Sequence, residues 1–187
     1  MAGRVSGSRT VYTFAYLYAS AARSLDRAQR EEEGSYYEII NALVMAAFTF
    51  EAYANHLIEG AEVDIEPLSG SKESIWAKYK RLRKVLRISG GGIENDYPSA
   101  AKALKFRNMM AHGRTLSAQF DEAVDGDEPC SSDTYGLVDW EDFVDVELAG
   151  KAMADVERFV KTFNDAAGCG PNPLYCLASG SSIFVEE

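Results

Sequence analysis

The sequence predicts an all-α protein, an antiparallel up-and-down bundle of four to five helices. Apolar residues recur at spacings of three and four over long stretches, as one face of a helix requires. Clusters of Gly, Pro and Ser separate those stretches, and short connections between amphipathic helices favour antiparallel neighbours. A chain of 187 residues, 47% of them hydrophobic, is long and apolar enough to bury one core without disulfides or metal. The whole of 1–187 is therefore read as one domain, with a helical core over about 11–166 and a tail over 167–187.

The first helix is expected over 11–32. Its start, "VYTFAYLYASAA", has the look of a signal-peptide core, but it is rich in tyrosine and runs on into the charged "RSLDRAQREEE", so it reads as a core helix. No apolar run reaches the roughly 18 residues of a membrane span. Gly34 stops this helix and Ser35 is placed to cap the next, over 36–59. There Tyr36, Ile40, Leu43, Ala47, Phe50, Ala54 and Leu57 form one seam. After a loop with Pro67 and Gly70, a third helix is expected from near Ser71, with the stripe Ile75, Tyr79, Leu82, Leu86 and with Lys78, Lys80, Arg81, Arg83, Lys84 and Arg87 on its other faces. "SGGG" at 89–92 ends it.

A fourth helix starts at "NDYPSA", with Asp96 as cap and Pro98 in its first turn, and runs to His112, with Gly113 beyond its end. Residues 115–140 suit a small β-hairpin built from "LSAQF" and "YGLV", or an irregular excursion. The last helix spans about 142–166, with Val146, Ala149, Met153, Val156, Val160 and Phe163 on one face. The tail suits a small hairpin turning at "SGSS".

Charge is distributed unevenly. The net charge is −10, yet residues 72–114 hold 11 Lys/Arg against 3 Asp/Glu, a local +8 in a chain whose remainder carries −18. A local patch of this kind can hold phosphate whatever the total. Cys130, Cys169 and Cys176 stand at no metal-ligand spacing and read as reduced thiols of a cytoplasmic protein.

Polar residues interrupt two of the predicted seams. On the fourth helix Ala101, Leu104, Asn108 and His112 share a face, and on the second Val44, Phe48, Glu51, Asn55 and Ile58 do. A buried unpaired carboxylate or amide costs several kcal/mol, so these groups must find partners or meet solvent. Arg107 is the expected counterpart of Glu51. An interhelical hydrogen-bond network would account for the same residues. The chain has no phosphate loop, no metal-ligand spacing and no nucleophile elbow. An imidazole and a guanidinium remain, a pair suited to cleaving RNA without metal or other cofactor. On a regular helix Arg107 and His112 point about 140° apart. They would serve one site through long reach, helix distortion or a second subunit.

"RNMMAH", Arg107-Asn108-x-x-x-His112, resembles the Arg-x4–6-His motif of HEPN-domain proteins, and "ALVMAAFTFEAYANHLIEG" resembles the HEPN helix bearing a Glu and, one turn later, an Asn, here Glu51 and Asn55. The resemblance covers about 11–166 but rests on these two segments. It implies a helical bundle, commonly a homodimer with the motif near the dimer cleft. Many such proteins are metal-independent ribonucleases of toxin–antitoxin, phage-defence or RNA-processing systems, and some have no nuclease activity. By the resemblance Arg107 and His112 are catalytic, Asn108 supports them, and Glu51 positions Arg107. An RNA substrate and an antitoxin protein are the implied partners. Lys80, Arg83, Lys84, Arg87, Lys105 and Arg114 are the candidates to bind RNA phosphates. Where some relatives carry a modifiable Tyr two residues after the His, this chain has Arg114. The alternative is a non-catalytic helical dimer, a scaffold or a nucleotide- or protein-binding module.

Overall fold

A computed structural model describes residues 3–60, 63, 73–117, 119 and 138–186. The described chain is predominantly helical: α1 (Thr13–Arg30), α2 (Ser35–Glu59), α3 (Ile75–Val85), the single turn α4 (Ile93–Asp96), α5 (Pro98–Ala111) and α6 (Val146–Ala167). Two 3-10 turns, Glu141–Phe143 and Pro173–Tyr175, flank α6. Two strands, β1 (Gly3–Val11) and β2 (Ala178–Glu186), complete the element order. None of the helices is long and apolar enough to cross a membrane.

The core forms around α2, which packs against α1, α3, α5 and α6. Small side chains make that possible. Ala42, Ala46, Ala47 and Ala54 are fully or almost fully buried and let neighbouring backbones approach. From Leu43 on, the predicted seam of Leu43, Ala47, Phe50, Ala54 and Leu57 is buried as expected, whereas Tyr36 at its start is exposed and Ile40 half-buried. Phe50 lies flat against Phe159 of α6, ring centroids 3.8 Å apart, and Tyr53 meets the same ring edge-on. Such ring pairs add about 0.5–1.5 kcal/mol each beyond the area they bury.

Helix boundaries follow local chemistry, not always that expected. α1 begins at Thr13, and Ser35 is the first residue of α2 rather than its cap. Gly34 takes the cap position at φ 79°, which glycine adopts without strain. The third helix begins at Ile75 behind Ser74, whose hydroxyl accepts from Ala77 N–H at 3.4 Å; its expected start near Ser71 falls outside the described residues. It ends before "SGGG": Arg87 is left-handed at φ 56°, and Ile88 N–H bonds the Arg83 carbonyl at 3.0 Å to close a Schellman-type end.

Asp96 is not the cap of α5. Its carboxylate accepts from Tyr79 O–H at 2.7 Å and Gly91 N–H at 2.9 Å. The opening turn of α5 is satisfied from another helix, by the buried Asp155 of α6, which accepts from Ser99 N–H at 2.8 Å and Ala100 N–H at 3.1 Å. α6 itself starts at Val146 behind Asp145, whose side chain accepts from Leu148 N–H.

The tail does not turn at "SGSS". That segment lies inside β2, which pairs antiparallel with β1 along its whole length, from Gly3↔Glu186 to Val11↔Ala178. Partners almost the whole chain apart leave no local turn signature in either strand. A Cβ on Gly180 would come within 2.5 Å of the Ser8 carbonyl oxygen, so the close approach of the ribbon's strands requires glycine there. Of the excursion expected over 115–140, residues 113–117 form no regular element, and 118 and 120–137 lie outside the described residues, as does Cys130.

Candidate active site

α5 carries the motif, and its burial pattern changes along its length. Ala100, Ala101, Ala103, Leu104 and Phe106 are buried. Beyond Phe106 the helix leaves the core, and Asn108 and His112 are exposed. The inward seam predicted through Ala101, Leu104, Asn108 and His112 therefore holds only for its first two members. Leaving an amide and an imidazole in water avoids the desolvation they would suffer inside.

Arg107 turns back toward α2. One guanidinium nitrogen donates to Glu51 Oε2 at 2.8 Å, and the guanidinium carbon sits 5.2 Å from the centre of the Phe48 ring. Lys78 of α3 reaches the other Glu51 oxygen at 3.7 Å and donates to Asn55 Oδ1 at 2.8 Å. Arg107, Glu51, Lys78 and Asn55 thus form one chain of contacts joining α5, α2 and α3. Two cations face one carboxylate in it. The pairing of Glu51 with Arg107 matches the expectation. Lys78 departs from the sequence reading, which puts it off the apolar stripe of its helix. A signal existed: positions 75, 78, 79 and 82 are one helical stripe, and Lys78 is buried with Ile75, Tyr79 and Leu82.

His112 is the residue just past the end of α5, and its N–H bonds the Asn108 carbonyl at 3.1 Å. Its side chain borders a cavity of about 290 Å³ whose other walls include Met109, Arg114, Leu116, Asp139 and Trp140. Arg107 is not among those walls. Within one chain, then, Arg107 faces α2 and α3 while His112 faces the Trp140 cavity. Asn55, in turn, lines a different cavity of about 330 Å³ between the start of α1 and the end of α2, beside His56 and Glu59.

No family model matches the chain, and no curated protein or solved structure matches it either.

The candidate phosphate-binding cations divide into two groups. Lys80, Lys84, Arg87, Lys105 and Arg114 are exposed and make no ion pair among the described residues. Arg83 is different. Its guanidinium donates to the carbonyls of Ile88, Gly90 and Gly91 and lies 3.9 Å from Asp96, so it organises the loop after α3 instead of facing solvent. Among the described residues no cluster of three His, Cys, Asp or Glu side chains is placed to hold a metal ion. What the site offers is a solvent-reached imidazole, an amide one turn below it, and nearby exposed cations that make no ion pair among the described residues.

Proposed function

We propose that this chain is a HEPN-like, metal-independent endoribonuclease of the toxin–antitoxin or phage-defence kind, cytoplasmic and acting as a homodimer whose helices form an up-and-down bundle. The observation that carries the reading is the exposed Asn108–His112 pair at the open end of α5, flanked by the exposed cations Lys105 and Arg114. An imidazole reached by solvent can take the proton of a ribose 2′-hydroxyl. The 2′-oxygen then attacks the adjacent phosphorus, the P–O5′ bond breaks, and the departing oxygen is protonated. The products are a 2′,3′-cyclic phosphate and a 5′-hydroxyl, with no cofactor required. DNA lacks the attacking hydroxyl and resists the reaction. Arg107 stabilises the charge that builds on phosphate, its guanidinium oriented by Glu51. A second copy supplies that Arg107 to the His112 of the first, because one helix directs the two apart. An antitoxin protein would restrain such an enzyme by covering the cleft.

Cleavage of RNA in EDTA by purified wild type against His112→Ala tests this. The expected result is strand scission leaving 2′,3′-cyclic ends, lost in the variant. Equal activity of the two proteins, or inertness of both, removes the catalytic assignment.

A second reading rests on the inward turn of Arg107. Its ion pair with Glu51 and its packing on Phe48 tie α5 to α2, as a dimeric scaffold or binding module without catalysis would also require. Under that reading His112→Ala changes dimerisation or stability and no RNA-directed activity exists.

A further inference from the structure

The cavity beside His112 is built from two parts of the chain that meet through packing on the core, a ring contact among them. Phe143, at the end of the 3-10 turn, stacks on Phe106 of α5 with ring centroids 5.9 Å apart and planes 27° from parallel. The turn is closed by Glu141, whose N–H bonds the Val138 carbonyl at 2.8 Å and whose carboxylate accepts from Val138 N–H at 2.8 Å. This anchoring sets Trp140 and Asp139 against the last turn of α5. Trp140, Met109 and Leu116 give the cavity an apolar interior, while His112, Arg114 and Asp139 place polar groups at it. At about 290 Å³ it lies at the small end of the range of ligand pockets, room for one heterocycle.

Charge decides which part of a nucleotide enters. Asp139 and Arg114 both line the cavity, so its wall offers an anion to base N–H donors and a cation to a flanking phosphate, with the exposed Lys105 of α5 a further cation outside the lining. A neutral, flat base with N–H donors fits the interior: it stacks on the indole and donates to the carboxylate. Guanine is the one standard base whose Watson–Crick edge offers two adjacent N–H donors, the match for a carboxylate's two oxygens.

We propose that the cavity is a nucleobase pocket that seats one unpaired guanine of a single-stranded RNA, placing the neighbouring phosphate at His112. The proposal rests on the ribonuclease reading for the role of His112, but the pocket is testable by binding alone. A short single-stranded RNA with a central G is titrated into His112→Ala carrying Trp76→Phe, so that Trp140 is the sole tryptophan. Saturable quenching of Trp140 fluorescence is expected, with a U-centred oligomer binding about tenfold more weakly. In the same background Asp139→Asn abolishes the preference for G, and its intact Trp140 still quenches. Trp140→Ala, followed by anisotropy of a labelled oligomer, weakens binding about tenfold, and Trp140→Phe restores most of it because a stacking ring remains.

Unchanged Trp140 fluorescence on binding, or equal affinity for G- and U-centred strands, overturns the pocket. Wild type that cleaves RNA with no dependence on Asp139 or Trp140 keeps the nuclease and loses the pocket. Specific quenching by G-centred RNA in a protein that cleaves nothing keeps the pocket and loses the nuclease.

Discussion

Glu51 stands between two cations, and that arrangement predicts an asymmetry between its partners. Its side chain is 25% exposed, against 16% for Arg107 and 11% for Lys78, so all three are largely removed from water. Removing the single anion leaves two cations facing each other without compensation, while removing one cation leaves an ion pair intact. Glu51→Gln is therefore expected to destabilise by about 1–3 kcal/mol. Lys78→Met keeps the buried aliphatic stem and costs under about 1 kcal/mol, Asn55 being left to a water or a neighbour. Urea denaturation of both variants checks the order. A larger loss in Lys78→Met would show that Lys78, not Glu51, holds the cluster. Sequence periodicity made the Glu51–Arg107 pair legible because a carboxylate on an apolar row demands a cation. It failed at Asn108 and His112, where spacing alone does not reveal that a helix has left the core. Lys78 was hidden by its charge: a long stem can be buried while its ammonium finds oxygen, and residue type alone suggests the opposite.

Elements were legible wherever their signals were local. The long helices announce themselves through stripes whose inner members bury as their spacing requires, while Tyr36 and Val146 at the helix starts are exposed, and α5 starts at a proline. What could not be read locally is satisfaction from a distance, as when Asp155 caps α5 across the interface and frees Asp96 for another task. Asp96 fastens the loop after α3: it accepts from Tyr79 and Gly91, and Arg83 lies near it. Burial pushes its carboxyl upward, but the Gly91 N–H, the Tyr79 hydroxyl and the charges of Arg83 and Arg158 outweigh that and hold it below the usual carboxylate range. A depressed folded value means stability that is present above the unfolded value of about 4 and is lost as pH falls through the folded one. Asp96→Asn is thus expected to lower the midpoint of thermal unfolding at neutral pH, and the gap between variant and wild type narrows as the solution is acidified below about pH 4. Melting curves across that range measure it. A gap that stays constant with pH would mean that the ionised carboxylate contributes nothing specific to the loop.

At the scale of the whole molecule, the paired ends of the chain and the motif at the end of α5 leave different traces in the sequence. The β1–β2 ribbon was illegible because its pairing spans nearly the entire chain and its strands are rich in small residues with little alternation. The Arg107–His112 spacing was legible, and under the ribonuclease reading proposed above its geometry raises the question of where one site is assembled. A single α5 sends Arg107 to Glu51 and His112 to the Trp140 cavity. If each site combines Arg107 of one copy with His112 of another, the two deficiencies complement. Mixing inactive Arg107→Ala with inactive His112→Ala under conditions of subunit exchange makes half of the dimers mixed. Each mixed dimer carries one site with both residues intact and one with neither, so roughly a quarter of wild-type RNA cleavage returns. A site contained within one chain gives the opposite outcome, because every chain in the mixture then lacks one of its two residues. The readout is the cleavage rate of the mixture against each variant alone, with size-exclusion chromatography reporting whether dimers form at all. Recovery of activity places the two residues of a site on different copies. No recovery in a dimer that demonstrably exchanges its subunits places both on one chain, and Arg107 must then leave Glu51 to act.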